Sequence, residues 1–156
     1  MNAIDRAMSY LNVRARSCKE IERYLTDKGY EENEIKEAVQ QLLEYKYLDD
    51  ANFARIYIQY GFDKGRGSVR IKQELLSKGV ADDVIEDAFY QLEDEGEIPD
   101  QFQLALKIGR DVVRDVDVSS LDYREKKKLE AKVGRRLASR GFSTDIVYRV
   151  IKEVCL

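Results

Sequence analysis

The sequence predicts an all-α protein in which three tandem three-helix repeats form one elongated, curved body. A glycine-centred pattern occurs three times, and apolar residues follow helical spacing after each glycine. The composition agrees, because 37% charged residues and a single proline suit helices that expose one polar face. Strand-like alternation of comparable length is absent.

A helix is expected to end at each of Gly29, Gly79 and Gly141. Leucine lies four residues before each glycine, and isoleucine or valine lies eight residues before it. The residue directly before each glycine is basic, which complements the negative end of a helix dipole. Glycine itself suits the left-handed position that follows a helix.

A further helix is predicted after each glycine. Its apolar residues are spaced i, i+3, i+4 and i+7, which places them on one stripe of an α-helix. The three stripes are Ile35, Ala38, Val39 and Leu42; Ile85, Ala88, Phe89 and Leu92; and Val147, Val150, Ile151 and Val154.

Capping residues mark the start of the helix before each glycine. Ser17 and Glu20 have the capping-box form, and Asp122 and Glu125 are a looser version of it. Ser68 lies at the corresponding start in the central repeat.

An additional apolar periodic segment precedes each helix pair, so each repeat contains three helices. These first helices are predicted over roughly residues 4–13, 50–62 and 100–113. The predicted repeats are residues 1–48, 49–97 and 98–156, and the third has a longer connection around residues 115–122.

The residue inventory disfavours an enzyme, a metal site or a bound cofactor. Histidine is absent, so the usual general bases and imidazole ligands are missing. The acidic pairs 49–50 and 115/117 lie at helix ends, where aspartate commonly caps. The glycine pair at Gly65 and Gly67 lacks the features of a phosphate loop and predicts a flexible joint between two helices.

Other features predict a cytoplasmic protein. Cys18 and Cys155 lack metal-binding or redox spacing and are expected to be reduced thiols. No apolar run after Met1 suits a signal sequence or a membrane span. Most of the ten tyrosines are interpreted as filling grooves between helices, with base stacking as the alternative.

The net charge of −3 is unevenly distributed along the chain. Basic residues number 8 against 9 acidic ones in residues 1–48, 6 against 12 in 49–97, and 13 against 9 in 98–156. Two segments are locally basic, the joint at residues 64–78 and the helix at residues 124–140. The predicted partner-binding residues are Lys64, Arg66, Arg70 and Lys72 in the joint, and Arg124, Lys127, Lys128, Arg135 and Arg136 in the basic helix.

These assignments leave alternatives open. An ordinary solvated face explains the joint equally well, and part of the basic helix must face solvent because its charges cannot share one side. Arg70 and Lys72 are expected in the first turns of an exposed helix, whereas Ile71 and Leu75 are expected in the core.

Two segments of the central repeat, LDDANFAR at residues 48–55 and KGRGSVRIKQELLSKG at residues 64–79, resemble the central signature of the RecX family. The first repeat is also similar to that family at Tyr10, Leu11, Ser17, Glu20, Leu25 and residues 28–30. RRLASRGF at residues 135–142 extends the resemblance into the third repeat. The similarity covers nearly the whole chain.

The resemblance implies a non-catalytic partner of the RecA filament. Family members are built from tandem three-helix units and lie in the groove of RecA filaments on DNA, so this chain would hinder ATP turnover, filament extension and strand exchange. Phe53, Lys64, Arg66, Arg70 and Lys72 match signature positions. Ser68 stands where the family often has proline, and the acidic total departs from the basic character of many relatives.

A helix-turn-helix DNA-binding regulator is the alternative function. Each helix, glycine turn and second helix has that layout, but residues 33–44 and 82–95 are too acidic for recognition helices. The acidic total also disfavours stand-alone DNA binding and leaves open a weak DNA contact through one basic patch. We expect a monomer.

Overall fold

The computed structural model describes all 156 residues, and its regular structure is helical throughout. Nine α-helices succeed one another: α1 (Ala3–Leu11), α2 (Cys18–Asp27), α3 (Glu32–Glu44), α4 (Asp50–Asp63), α5 (Ser68–Ser77), α6 (Asp82–Asp94), α7 (Gln101–Val113), α8 (Tyr123–Arg140) and α9 (Thr144–Cys155). The predicted all-α class is confirmed. None of the nine combines the length and the apolar character needed to cross a bilayer.

The helix bounds differ from the predicted ones by one or two residues. The helix α1 ends at Leu11, so Val13 lies beyond it with 77% of its surface exposed. The longer connection predicted in the third repeat runs from residue 114 to residue 122 and contains a short 3-10 turn, Val118–Ser120. Asp117 caps that turn by accepting from the Ser119 N–H at 3.2 Å, as expected for an aspartate at a helix start.

The chain forms two compact units, and the division passes within α4 and α5. The first unit comprises residues 1–57 and 74–95, and the second comprises residues 58–73 and 96–156. One core cluster of the first unit is Ala3, Ala7, Ile21, Leu25, Ile35, Ala38, Val39, Leu42 and Leu48. A core cluster of the second unit is Ala105, Leu106, Leu129, Val133, Leu137, Phe142, Val150 and Cys155.

The apolar stripes after the glycines supply buried residues. All four stripe residues of α3 are buried, and Ile85, Ala88 and Leu92 of α6 are at most 2% exposed. Of the four stripe residues in α9, only Val150 is fully buried, and the other three are half-buried. Burial of a leucine or isoleucine side chain stabilises the fold by about 1.5–3 kcal/mol relative to exposure, so the stripes account for the helix packing.

The three repeated glycines end their helices in the same way. Gly29, Gly79 and Gly141 have φ values of +90°, +82° and +93°. At the first of them, the Gly29 N–H donates to the Thr26 carbonyl at 3.0 Å and the Tyr30 N–H donates to the Leu25 carbonyl at 3.1 Å. This Schellman pattern recurs at the other two glycines, which confirms the predicted helix ends.

Hydrogen bonds fix the start of α2 in the first unit. Ser17 Oγ accepts from the Glu20 N–H at 3.1 Å, and the Ser17 N–H donates to Glu20 Oε1 at 3.0 Å, so the predicted capping box is present. Ser17 Oγ also donates to the Lys78 carbonyl at 2.7 Å. One serine therefore caps α2 and satisfies a carbonyl just beyond the end of α5. The predicted capping box at Asp122 and Glu125 likewise starts α8.

Candidate partner-binding surface

The two compact units carry opposite net charge. The first unit has 10 basic against 19 acidic residues, a net charge of −9, and the second has 17 against 11, a net charge of +6. All nine residues predicted to bind a partner lie in the second unit. The structure thus assigns the four predicted joint residues, Lys64, Arg66, Arg70 and Lys72, and the basic helix α8 to the same compact unit.

The basic helix α8 presents a stripe of cations away from its core. Leu129, Val133 and Leu137 form its buried side. Four exposed cations lie within about 80° of one another on the opposite side, given 3.6 residues per turn. They are Arg124, Lys128, Lys132 and Arg135, which we call the α8 stripe. None of them has a carboxylate within ion-pair distance.

Lys132 belongs to this stripe although it was not among the predicted contact residues. Its position four residues after Lys128 was the available signal, because residues spaced i, i+4 share a helix face. The other two predicted α8 residues lie beside the stripe. Lys127 pairs with Glu130 at 3.3 Å, and this hydrogen bond raises the pKa of Lys127, whereas Arg136 is exposed toward the opposite flank.

The joint before α5 is a defined turn. Gly65 has φ +79°, and its N–H donates to the Phe62 carbonyl at 2.9 Å to close the end of α4. Lys64 and Arg66 both place their charged groups over the ring of Tyr60, at 5.6 Å and 5.5 Å from its centroid. The predicted joint does begin between two helices, α4 and α5, and its two cations share one aromatic neighbour.

Backbone hydrogen bonds join this turn to the end of α8. The Gly67 N–H donates to the Arg140 carbonyl at 2.7 Å, and the Val69 N–H donates to the Gly141 carbonyl at 3.0 Å. An added Cβ at Gly67 would lie 2.4 Å from the Gly141 oxygen, so the close approach requires glycine. Two basic segments that are far apart in sequence are therefore neighbours in the second unit.

The expectation that Arg70 and Lys72 lie in an exposed helix is wrong, because both side chains are half-buried. Arg70 packs against Gly141, and its guanidinium lies 3.5 Å from the Ser139 carbonyl. The end of α8 covers the first turn of α5, so a charge reversal at Arg70 would disturb packing as well as binding. Ile71 and Leu75 are fully buried, as predicted.

Phe53 is a core residue, since only 5% of its surface is exposed and its ring stacks with that of Tyr57 at 6.1 Å. Among the joint residues that match the signature, Lys64 is exposed and Arg66 is half-buried.

The interpretation that most tyrosines fill grooves between helices is also wrong. Tyr10 and Tyr24 do stack on each other at 3.8 Å, with the Arg16 guanidinium 3.7 Å from the Tyr10 ring. Six of the ten tyrosines are exposed, however: Tyr45, Tyr47, Tyr60, Tyr90, Tyr123 and Tyr148. These six tyrosines are not part of the buried apolar stripes. A count of apolar residues along the chain does not show which rings are buried.

The acidic pair Asp49 and Asp50 serves the fold. Asp49 accepts from the Asn52 N–H at 3.2 Å and caps α4, and Asp50 accepts from the Cys18 N–H at 2.9 Å. Both cysteines are unpaired. Burial, aided by Asp50, raises the pKa of the Cys18 thiol to about 12, which suppresses its nucleophilic thiolate. No group of three His, Cys, Asp or Glu side chains is arranged to hold a metal ion.

Two family models match the chain. Residues 3–42 match the model described as the RecX first three-helix domain, and residues 49–88 match the RecX second three-helix domain. The regulatory protein RecX of Vibrio vulnificus is 36% identical over 153 residues, which cover 98% of this chain and 93% of the relative. That of Lactobacillus johnsonii is 34% identical over 99% of this chain, and here the chain spans about half of the relative's length, 54%.

Solved structures agree with these sequence matches. The crystal structure of RecX from Lactobacillus salivarius has a TM-score of 0.78 and 26% identity, and the match covers 97% of this chain and 94% of that one. A second crystal structure of regulatory protein RecX also has a TM-score of 0.78, with 27% identity, over 97% of this chain and 71% of that one.

Proposed function

Because the chain belongs to the RecX family of regulatory proteins, we propose that it binds the RecA filament on DNA and restrains RecA without catalysing a reaction. The second unit supplies the contact. The observation that supports this assignment is the α8 stripe, whose four cations have no acidic partner within the protein.

An unpaired cationic stripe is suited to the anionic groups of a nucleoprotein filament. DNA phosphates and acidic side chains both attract it, and neither has to displace an existing ion pair on α8. The first unit, at net charge −9, is repelled by the same groups. The second unit is therefore attracted to the filament more strongly than the first.

In this proposal the protein inhibits RecA by binding within the filament, and it catalyses no reaction of its own. The repeats at residues 1–48, 49–97 and 98–156 act as modules that bridge neighbouring RecA protomers, which hinders ATP turnover, filament extension and strand exchange. The candidate acidic groups Asp49 and Asp117 are used as caps. The protein acts as a monomer in the cytoplasm, where RecA works.

The outward faces of α3 and α6 argue against a helix-turn-helix DNA-binding regulator. In α3 the exposed side carries Glu37 and Glu44, and in α6 it carries Asp83, Asp87 and Asp94. A recognition helix in the major groove would bring these carboxylates close to phosphates.

The proposal is tested by DNA-dependent ATP hydrolysis of RecA at moderate salt. The wild-type protein should slow hydrolysis, and a variant with Arg124→Gln, Lys128→Gln and Arg135→Gln should need about tenfold more protein for the same effect. The matched control changes three exposed cations outside the stripe, Lys36→Gln, Lys107→Gln and Arg110→Gln, and should inhibit like the wild type.

Equal inhibition by the stripe variant and the wild type would place the contact elsewhere. ATP hydrolysis by the purified protein alone, if it persisted through further purification, would contradict the non-catalytic assignment.

A further inference from the structure

Two tyrosines of the second unit project from the surface beside lysines. Tyr123 at the start of α8 is 78% exposed, and Tyr148 of α9 is 59% exposed. Lys127 Nζ lies 5.4 Å from the centroid of the Tyr123 ring, and Lys152 Nζ lies 4.6 Å from that of Tyr148. Both pairs lie in the second unit, on the helices α8 and α9, which pack against each other, and we call the four side chains the cluster.

The fold does not explain these rings. The start of α8 is held by the capping box of Asp122 and Glu125, in which the Tyr123 side chain takes no part. The α9 stripe packs through Val150 and its neighbours, whereas the Tyr148 ring lies largely in solvent. An exposed aromatic ring contributes little to stability and offers a flat apolar face to a partner.

The cluster borders the unpaired α8 stripe. Lys127 lies about 60° around the helix from Arg124, the first cation of the stripe. Exposed rings therefore adjoin a row of cations that have no internal carboxylate partner. Aromatic faces beside a cationic track are the combination that binds single-stranded nucleic acid, because bases stack on the rings while phosphates follow the cations.

We propose that Tyr123, Lys127, Tyr148 and Lys152 form a stacking platform for single-stranded nucleic acid, with its phosphates running along the α8 stripe. The platform favours single strands over a duplex, since the base faces of a duplex are covered by their neighbours. It is insensitive to sequence because every base offers a π-face. The proposal is independent of RecA and is tested without it.

The test is fluorescence anisotropy of a labelled oligothymidylate of about 16 nucleotides, at about 50 mM salt. The double variant Tyr123→Ala/Tyr148→Ala should bind about tenfold or more weakly than the wild type. The double variant Tyr123→Phe/Tyr148→Phe keeps both rings and should bind like the wild type. The matched control Tyr45→Ala/Tyr90→Ala, which removes rings that are 69% and 73% exposed on the first unit, should also bind like the wild type.

Salt titration separates the rings from the cations. The alanine double variant should keep the slope of log affinity against log salt, whereas Lys128→Gln should reduce it by about 0.7 for one lost phosphate contact on a single strand. Any of three results would refute the platform. In the first, the wild type fails to bind the oligonucleotide, and in the second, the alanine double variant binds it as tightly as the wild type does. In the third, the wild type binds duplex DNA or polyglutamate at least as tightly as the single-stranded oligonucleotide.

Discussion

At the scale of single residues, Lys46 is the non-glycine residue with a left-handed backbone, at φ +61°. It ends α3 in the same way as the repeated glycines end their helices, with the Lys46 N–H donating to the Leu43 carbonyl at 3.1 Å and the Tyr47 N–H to the Leu42 carbonyl at 2.8 Å. Fifty positions later, Gly96 follows α6 at φ +75°. The first repeat thus places a residue with a Cβ where the second uses glycine.

The substitution Lys46→Gly should stabilise the protein by about 0.5–1 kcal/mol. It removes the steric cost of a Cβ in the left-handed region, which exceeds the entropy that glycine loses on folding. Urea unfolding should show a higher midpoint at an unchanged slope. Lys46→Ala is the control, because it removes the charge but keeps the strain and should leave the midpoint nearly unchanged. An equal gain from Lys46→Ala would show that the side chain, and not the backbone, limits stability.

At the scale of helices, Glu20 links the start of α2 to its surroundings. Its carboxylate completes the capping box and pairs with Arg14 at 2.9 Å and Lys78 at 3.5 Å. Burial acts to raise the pKa of Glu20, but the hydrogen bond from Arg14, the Ser17 N–H and the charge of Lys78 outweigh it and lower the pKa. The folded state therefore favours the charged carboxylate.

The substitution Glu20→Gln should reduce stability by about 1 kcal/mol at neutral pH, where the wild-type carboxylate is charged. Because the pKa of Glu20 is lower in the folded state than its ordinary value of 4.5, the charged carboxylate stabilises the fold above pH 4.5. This stabilisation is lost as the pH falls through the pKa of the folded state. The difference between variant and wild type should therefore shrink in acid. Glu22→Gln, which affects a more exposed pair with Lys19, is the control and should change stability less. A deficit that persists in acid would rule out the ionic contribution.

Helix positions were predictable because each helix carries its own periodic stripe and its own end signals. Gly29 and Ser17 could be assigned from a few neighbouring residues, and the structure confirms both roles. The burial of Arg70 could not be assigned in this way. It depends on Gly141 and Ser139, about 70 positions away, whose approach to α5 no local pattern encodes.

At the scale of the whole molecule, the charge distribution follows the compact units and not the repeat borders. The repeat borders gave the central segment 6 basic against 12 acidic residues. In the structure the joint cations belong to the second unit, which also contains α8. These cations are Lys64, Arg66, Arg70 and Lys72. The sequence showed both basic segments, but only the hydrogen bonds from Gly67 and Val69 to the end of α8 show that they adjoin.

Co-sedimentation with RecA filaments on DNA, with bare DNA as the control, tests the proposed filament contact directly. The wild-type protein should sediment with filaments at moderate salt and be released as salt increases. The variant Arg124→Gln/Lys128→Gln/Arg135→Gln should remain largely in the supernatant, and the control Lys36→Gln/Lys107→Gln/Arg110→Gln should sediment like the wild type. Wild-type protein that stays in the supernatant, or a stripe variant that sediments as fully as the wild type, would contradict the claim that the second unit binds the filament.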